Sequence, residues 1–435
     1  MYLCLHNKKY VAMRVLIVNT SEKTGGAAVA ANRLMEALNN NGVKAKMLVR
    51  DKETDQITVV ELKHNIFTKW HFLWERFVIF IHLHFSKDKL FQLDIANSGF
   101  DITKLREFKE ADIIHLNWVN QGMLSISGIK HILESNKPVV WTMHDIWPAV
   151  SICHLALDCH RYETRCGNCP YLPGKSEHDL SYKIWNKKKK ILKDNSIFFV
   201  ACSHWLENEA NKSALLVGQK VTSIPNPIDM RTFCKMDKAE ARLSVGLPSD
   251  KRLILFVSQR ATNMNKGINH LIEACRIMTD QNPGMKDNTA IAILGSHSEE
   301  FVNSLTLPVY PLGYVSDTKR IVRIYNSADI FVLPSLSENL PNTIMEAMSC
   351  GVPCIGFNVG GIPEEIDHKS NGYVAEYKNS EDLAKGISWI LEEADYNKLS
   401  ENAIKKVSVN YSQHAIAMRY IEVYDEALAF KNYRL

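Results

Sequence analysis

Two glutamates eight positions apart, Glu338 and Glu346, are the clearest candidates for chemistry in this sequence. They lie in the stretch LPSLSENLPNTIMEAM, which follows the apolar run DIFVL. The apolar run predicts a buried strand, and a helix is expected to begin near Pro341 or Asn342 and to carry Glu346. In a doubly wound sheet, ligands lie at the carboxyl ends of strands, where Glu338 would stand. The alternative is a routine strand–loop–helix with solvent-facing glutamates.

The same loop predicts an anion site. The unpaired backbone N–H groups of Leu340, Asn342 and Thr343 would point outward at the start of the helix, where the helix dipole also favours negative charge. With Asn339 they form the predicted contact surface for a ligand's phosphates.

Two cations follow the first predicted strand of the second half of the chain, LILFV. Arg260 and Lys266 stand in the loop SQRATNMNKG, and two cations at the carboxyl edge of a strand suit a pyrophosphate. Gly313 and Tyr314 follow another short strand, where backbone groups would hold a flat base. Alternatively, Arg260 and Lys266 are surface cations that only increase solubility, and Tyr314 belongs to the core.

The first half of the chain has two weaker signals at strand ends. Gly25 and Gly26 follow the first strand and open a helix, and glycines there allow a ligand to approach the backbone closely. The pattern is not G-x-G-x-x-G, which disfavours dinucleotide binding. His144 ends the strand-like run VVWTM. It is expected to meet a ligand, with a structural hydrogen bond as the competing interpretation.

Together these residues resemble the retaining family 4 glycosyltransferases of the GT-B fold, from Met13 onward. The second half carries the specific part: the Glu338/Glu346 pair, the Arg260/Lys266 pair and the turn GGIPE that begins at Gly360. The resemblance implies two doubly wound Rossmann-like domains, of class α/β, that face a central cleft.

The resemblance also implies a role for each site residue. A nucleotide-diphosphate sugar would be the donor, with its diphosphate bound by Arg260 and Lys266 and its ribose by Glu346. Glu338 and His144 would be the catalytic residues at the donor sugar. The Gly25-Gly26 loop would close over the phosphate and the acceptor, a saccharide or lipid-linked saccharide.

The chemistry explains the need for cations, because the departing nucleotide diphosphate gains negative charge in the transition state. Many glycosyltransferases give this task to a metal held by a D-x-D motif, and the sequence contains no D-x-D. We therefore expect Arg260, Lys266 and the helix N-terminus to replace a divalent metal. Retention would follow from attack on the face that the leaving group vacates.

Four of the ten cysteines fall within 17 residues. They are Cys153, Cys159, Cys166 and Cys169, and C-x2-C followed by proline resembles half of a zinc knuckle. A structural zinc is one interpretation, with a redox pair or inert buried thiols as the others. His154, Asp158 and His160 are possible substitute ligands. The insertion resembles one in a subset of bacterial capsular and exopolysaccharide glycosyltransferases, and its position suggests the acceptor side.

The elements that must position these residues alternate between apolar runs and helical stretches in two successive series. This predicts an acceptor-side domain over 13–224 with the cysteine-rich insertion at 153–170. A donor-binding domain follows over 225–411, and a final helix over 412–435 packs back toward the first domain. The boundary is placed at IPNPID, where two prolines hold the chain extended.

Composition places the chain among ordinary globular proteins, with 435 residues, 46% hydrophobic and 23% charged. A net charge of +4 does not indicate a nucleic-acid partner. The opening residues lack a signal-peptide pattern, so a cytoplasmic location is expected. Met13 is an alternative start, which would make residues 1–12 an extension.

The segment IFTKWHFLWERFVIFIHLHF, from Ile66 to Phe85, is apolar and aromatic but contains charges that disfavour a spanning helix. It predicts either a helix buried between domains or an interfacial helix on a membrane. The run Lys187–Lys190 is interpreted as a solvated helix face, with phospholipid contact as the alternative. A membrane contact would place the protein peripherally at the inner face of the plasma membrane.

Two other functions stay open from the residues alone. One is a nucleotide-sugar epimerase of the same fold, which would need no acceptor. The other is a catalytically inactive, metal-binding interaction scaffold, which would bind no nucleotide.

Overall fold

The computed structural model describes residues 13–62 and 66–434. The chain divides into two compact units. The first unit contains the residues up to Ile224 and those from Ile416 onward. The second unit is Pro225–Ala415. The expectation about residues 1–12 lies outside the described residues.

The described part of the first unit contains a seven-stranded parallel sheet of order β3-β2-β1-β4-β5-β6-β7. The strands are β1 (Arg14–Val18), β2 (Lys44–Val49), β3 (Val59–Glu61), β4 (Ile113–Leu116), β5 (Val139–Met143), β6 (Phe198–Ala201) and β7 (Lys220–Ser223). Val15 and Ile17 pack on one face of the sheet, whereas Leu16 and Val18 pack on the other. Because both faces of β1 are covered, its sequence is a continuous apolar run.

The helices of this unit cover the sheet and supply its packing partners. They are α1 (Gly26–Asn40), α2 (Ile66–His82), α3 (Arg106–Glu110), α4 (Ile126–Glu134), α5 (Leu180–Lys193) and α6 (His204–Asn211). In α1 the buried residues Ala28, Ala31, Leu34 and Leu38 recur every three or four positions. This period places them on one helix face, and the alanines favour the helix intrinsically.

The second unit contains a six-stranded parallel sheet of order β10-β9-β8-β11-β12-β13, counted over its residues 225–415, all of which are described. The strands are β8 (Arg252–Arg260), β9 (Thr289–Ser296), β10 (Val309–Gly313), β11 (Ile330–Leu333), β12 (Cys354–Phe357) and β13 (Gly372–Ala375). Ile254 and Phe256 of β8 pack with Ile291 and Ile293 of β9 in one hydrophobic cluster.

The remaining helices are α7 (Lys238–Val245), α8 (Ile268–Gln281), α9 (Met285–Asn288), α10 (Thr318–Ser327), α11 (Asn342–Ser349), α12 (Ile362–Glu365), α13 (Ser380–Ser388), α14 (Tyr396–Asn410) and α15 (Gln413–Arg434). The starts of several follow from their sequence. Asp237, Asp317, Asn379 and Asp395 each accept a hydrogen bond from a backbone N–H in the first turn of the helix that follows.

Both sheets reverse their strand order at one place, between β1 and β4 in the first unit and between β8 and β11 in the second. Ligands of doubly wound sheets bind outside the carboxyl ends of the strands at this reversal. The prediction of two doubly wound, Rossmann-like units is confirmed. The loops that follow β1, β4, β8 and β11 are therefore the places to look for a site.

The C-terminal half of α15 is held in the first unit by a buried chain of hydrogen bonds. His115 of β4 contacts the Tyr424 hydroxyl through Nδ1 and the Thr142 hydroxyl through Nε2, both at 2.7 Å. Thr142 in turn contacts the Tyr420 hydroxyl at 2.9 Å. Burial lowers the pKa of His115 to about 3, so a neutral imidazole joins the strand to the helix.

The interpretation of Lys187–Lys190 as a solvated face is wrong for one residue. Lys188 is buried, and its ammonium donates to the carbonyls of Trp147 and Val150 at 2.7 and 2.9 Å. Burial lowers the pKa of Lys188 to about 7. The other three lysines of the run are exposed.

Replacement of Tyr424 by phenylalanine tests the buried chain. The Tyr424→Phe variant leaves His115 Nδ1 without its partner and should lower the free energy of unfolding by about 1–3 kcal/mol. Urea unfolding measures the loss. Tyr314→Phe, at a tyrosine that is 64% exposed, is the control, and equal stability of the two variants would contradict the role of this contact.

Candidate active site

Lys266 and Glu338 form an ion pair at the reversal point of the second sheet. Lys266 ends a short 3-10 turn in the loop after β8, and Glu338 lies in the loop after β11. The Lys266 ammonium contacts Glu338 Oε1, which also accepts a hydrogen bond from the Ser335 hydroxyl at 2.9 Å. The two side chains are 27% and 13% exposed. A cation and a carboxylate therefore stand side by side at the edge where ligands bind.

A glycine allows these two loops to meet. Gly267 has φ +73°, and a Cβ built there would lie 1.7 Å from the Pro334 carbonyl oxygen. Two hydrogen bonds join the loops nearby, from Leu336 N to Asn265 O at 2.8 Å and from Asn265 Nδ2 to Ser337 O at 3.0 Å. Any side chain at position 267 would push apart the loops that hold the ion pair.

The GGIPE turn supports the other side of the Glu338 loop. Gly360 has φ +58°, and a Cβ there would lie 1.7 Å from the Glu338 carbonyl oxygen. Gly361 N donates to Asn339 O at 2.8 Å. The backbone of Glu338 and Asn339 is thus fixed by a turn that follows the next strand of the sheet, β12.

Helix α11 begins at Asn342, as predicted, and its N-cap residue, Pro341, provides no side-chain cap. Leu340 is buried, Thr343 is half-buried, and the Asn342 side chain accepts a hydrogen bond from Asn226 Nδ2 at 3.0 Å. Glu346 is buried and accepts a hydrogen bond from the Tyr325 hydroxyl at 2.8 Å. The alternative of two solvent-facing glutamates is therefore wrong.

Arg260, Gly313 and Tyr314 lie at the carboxyl ends of β8 and β10. Arg260 is the last residue of β8, which runs three residues further than the apolar run predicts, and its Nε donates to Thr262 Oγ1 at 3.0 Å. Gly313 has φ +65° and donates its N–H to Ser298 Oγ at 3.1 Å. Tyr314 is 64% exposed, so it is not a core residue. β10 lies two strands from β8, which sets Gly313 and Tyr314 apart from the ion pair.

Sequence reasoning missed Glu365, the last residue of α12. It is fully buried, and neither carboxyl oxygen has a hydrogen-bond partner among the described residues. Burial raises the pKa of Glu365 well above its usual range, and the charges of Glu338 and Glu364 raise it further. Its protonated form is therefore favoured, which limits negative charge beside Glu338. The two adjacent glutamates in the sequence IPEE are the feature from which this residue could have been predicted.

In the first unit, Gly25 and Gly26 follow β1 and start α1 as predicted. Gly25 has φ +92°, and a Cβ there would meet no atom within 4 Å. The left-handed backbone, rather than a close approach to other residues, is thus the reason for glycine. Gly25 is the N-cap residue of α1 and has no side chain to cap it.

His144 follows β5 and is half-buried. Its Nε2 contacts Asn117 Oδ1 at 3.0 Å, and its Nδ1 contacts the Cys202 thiol at 3.4 Å. Burial lowers the pKa of His144 to about 4. At neutral pH the ring is therefore uncharged and can act as a hydrogen-bonding group, not as a cation.

The loop after β4 supplies two polar groups that sequence reasoning missed. The amide nitrogens of Asn117 and Asn120 are buried and have no hydrogen-bond partner among the described residues. They lie at the reversal point of the first sheet. The sequence HLNWVN, where asparagines interrupt an apolar run, was the signal.

A half-buried histidine, His154, joins the cysteine-rich insertion to the loop that follows His144. His154 Nδ1 contacts Asp145 at 2.7 Å, and its Nε2 contacts Asp94 at 2.5 Å. Burial opposes a charge on the ring, but the two carboxylates outweigh it and raise the pKa of His154 to about 10. Both ring nitrogens are occupied, so His154 is not available as a substitute metal ligand.

Cys153, Cys159, Cys166 and Cys169 line one small cavity of about 20 Å³, and all four are unpaired thiols. Burial raises the pKa of the Cys166 thiol to about 12 and that of the Cys169 thiol to about 11. Within residues 13–62 and 66–434, no group of three or more His, Cys, Asp or Glu side chains is arranged to hold a metal ion. The zinc interpretation stays a prediction.

Comparison with known proteins decides the family. The model of Glycosyltransferase Family 4 matches residues 24–232, and the model of Glycosyl transferases group 1 matches residues 237–406. The chain belongs to the family 4 glycosyltransferases. The second match contains both members of the Lys266–Glu338 pair, and the first contains His144 and the Gly25-Gly26 loop.

Two curated family members show the range of similarity. Over 187 residues, the chain is 32% identical to the N,N'-diacetylbacillosaminyl-diphospho-undecaprenol alpha-1,3-N-acetylgalactosaminyltransferase of Campylobacter jejuni, covering 41% of this chain and 46% of the relative. Over 242 residues, it is 24% identical to the N-acetyl-alpha-D-glucosaminyl L-malate synthase of Bacillus anthracis, covering 54% and 61%. The chain thus spans about half the length of the curated relatives it matches.

Solved glycosyltransferase structures share the fold over nearly the whole chain. The sucrose-phosphate synthase of Thermosynechococcus elongatus has a TM-score of 0.67 at 19% identity and covers 96% of this chain and 99% of its own. HepE of Anabaena, in complex with UDP-glucose, has a TM-score of 0.63 at 16% identity and covers 95% and 100%. The GT-B fold class predicted from the sequence is thereby confirmed.

A Gly267→Ala variant tests the contact between the two loops. The methyl group meets the Pro334 carbonyl in a left-handed backbone, so the loss of stability should exceed the roughly 1 kcal/mol expected from strain alone. Gly246→Ala is the matched control, because Gly246 has φ +74° and a Cβ there meets nothing within 4 Å. Thermal unfolding compares the two variants. Equal losses would show that the loops do not depend on close approach.

Proposed function

We propose that the protein is a retaining glycosyltransferase that moves a sugar from a nucleotide-diphosphate sugar to a polysaccharide or lipid-linked saccharide. The Lys266–Glu338 pair at the reversal point of the second sheet carries this proposal. In a member of this family, the pair supports the proposal because a cation suited to a phosphate lies next to a carboxylate suited to sugar hydroxyls.

The leaving diphosphate accounts for the cations. Its negative charge grows as the anomeric C–O bond breaks, and groups already in place around it lower the barrier most. Lys266, Arg260 and the N-terminus of α11 would take this role, so the proposal needs no divalent metal for catalysis. Asn339, Leu340, Asn342 and Thr343 would supply the backbone and side-chain contacts to the phosphates.

The remaining residues have roles consistent with their surroundings. An arriving phosphate would compete with Glu338 for the Lys266 ammonium and leave the Glu338 carboxylate, held by Ser335, to accept hydrogen bonds from the donor sugar. Glu346 would bind the ribose, and Gly313 and Tyr314 the base. His144, neutral because of burial, would exchange its contact with Asn117 for a hydrogen bond to the sugar near the reacting carbon, without repelling the positive charge that develops there.

The proposal also covers the acceptor and the cellular location. The name of the Campylobacter jejuni relative describes an acceptor linked through a diphosphate to undecaprenol, which supports a lipid-linked saccharide here. Such an acceptor fits a role in capsular or other polysaccharide biosynthesis. It also fits a cytoplasmic enzyme that is peripheral at the inner face of the plasma membrane.

Loss of either member of the ion pair should stop transfer. Lys266→Ala removes the charge at the leaving diphosphate and should lower kcat about 10²–10³-fold, and Glu338→Gln should also lower turnover. Lys212→Ala is the matched control, because Lys212 forms an ion pair with Glu209 at 2.6 Å and neither residue belongs to the loops after β8 and β11. Release of nucleoside diphosphate with and without a saccharide acceptor measures turnover and separates transfer from epimerisation. Unchanged turnover in both site variants would contradict the assignment.

We also propose that the four cysteines around the small cavity bind a structural zinc. Four thiolates are the usual ligands of structural zinc, and C-x2-C is the usual spacing of one ligand pair. The thiols would have to turn toward the cavity and lose their protons on binding, which makes zinc affinity fall at low pH.

The metal content of the purified, reduced protein tests the zinc site. The wild-type chain should contain one zinc ion, and Cys166→Ser with Cys169→Ser should lose it and unfold at a lower temperature. Cys234→Ser, at an exposed cysteine, should retain the metal. A reduced wild-type protein that takes up no zinc when zinc is supplied would exclude the site.

A further inference from the structure

The outer face of α2 is a row of exposed apolar side chains. The residues of this row are Trp70, Leu73, Trp74, Phe77 and Ile81, with Phe85 just beyond the helix. Their spacing of three or four residues places them on one side of the helix. Trp70 and Phe77 are 56% and 52% exposed. The alternative that the helix is buried is therefore wrong for this face.

Two charged residues of the same helix, Glu75 and Arg76, point inward. Glu75 is buried and accepts hydrogen bonds from Ile95 N at 2.8 Å and Ala96 N at 2.6 Å. Arg76 is buried, donates to Leu93 O at 3.0 Å and forms an ion pair with Asp94. Turning the helix to hide its apolar row would break these bonds. The exposure of the row is thus built into the packing of the helix.

The row forms a continuous aromatic surface. The rings of Trp70 and Trp74 are stacked at 6.0 Å, and Trp74 and Phe77 lie 5.9 Å apart. Soluble monomers rarely expose a contiguous apolar patch, and a large one marks an interaction surface. Tryptophan is the residue most typical of the membrane–water interface.

We propose that this row is the surface by which the protein docks on an anionic membrane. Between Thr68 and Gln92, a stretch that is fully described, Lys69 and Lys87 are exposed near the two ends of the row, and Asp88 is the one exposed acidic residue. A second copy packed face to face would bring like charges together, which disfavours self-association. Within the described residues, no helix is long and apolar enough to cross a membrane. In the proposed docking, α2 rests on the surface of the bilayer.

The docking surface deepens the proposed function and rests on it for the nature of the acceptor. Gly122 packs against Phe72 of α2, since a Cβ on it would lie 2.6 Å from Phe72 N. The Arg50 guanidinium, just after β2, lies 5.7 Å from the Phe72 ring. Helix α2 therefore packs at the carboxyl edge of the first sheet. Docking through its outer face would bring that edge to the bilayer that holds a lipid-linked acceptor.

Vesicle flotation of the purified full chain tests the docking surface without any need for turnover. The wild-type chain should float with phosphatidylcholine vesicles that contain phosphatidylglycerol, and more weakly with phosphatidylcholine alone. Trp74→Ser with Phe77→Ser should weaken binding at least about tenfold, because two aromatic groups no longer enter the interface. Lys69→Glu with Lys87→Glu should remove the preference for anionic vesicles.

The controls distinguish docking through this surface from nonspecific hydrophobic binding to vesicles. Val217→Ser with Leu243→Ser removes two apolar side chains that are 80% and 83% exposed elsewhere and should leave flotation unchanged. Wild-type protein that does not float, or a Trp74→Ser, Phe77→Ser variant that floats equally well, would overturn the proposal. A wild-type dimer that this variant converts to a monomer would instead identify a second copy as the occupant. Absence of transfer in the turnover assay, with normal flotation, would overturn the enzyme proposal alone.

Discussion

The close backbone approach at the reversal point of the second sheet is the constraint on which the candidate site depends. Gly267 lies against Pro334, and Gly360 lies against Glu338, so three loops converge with no room for a Cβ. This convergence is what lets a lysine after β8 reach a glutamate after β11. Parallel strands put all these loops on one edge of the sheet, so the geometry of the sheet and the chemistry of the site have the same origin.

Two histidines, His115 and His154, connect separate elements of the first unit. His115 is kept neutral by burial and joins the sheet to α15. His154 is kept charged by Asp94 and Asp145 and fixes the cysteine-rich insertion against the loop that follows His144. Removal of Asp94 or Asp145 would leave an uncompensated charge, which is costly away from water. The contacts of His154 therefore hold the insertion in place.

Edge strands carry a weaker sequence signal than central strands. β3 and β7 lie at the two ends of the first sheet, where a strand needs less burial on its faces. In β7 the burial runs from exposed Lys220 to buried Ser223 through half-buried residues. The central strands β1, β5 and β11 are continuous apolar runs because helices cover both of their faces, and these were predictable.

The sequence by itself determined the two doubly wound units, the start of α11 and the residue types of the candidate site, because strand periodicity, proline and glycine act locally. The ion pair between Lys266 and Glu338, the burial of Glu365 and the outward apolar face of α2 were decided only by the tertiary structure. Each depends on groups that are distant in the chain and meet only in the folded protein. In α2, the contacts of Glu75 and Arg76 with the segment from Leu90 to Ala96 override the tendency of apolar side chains to turn inward.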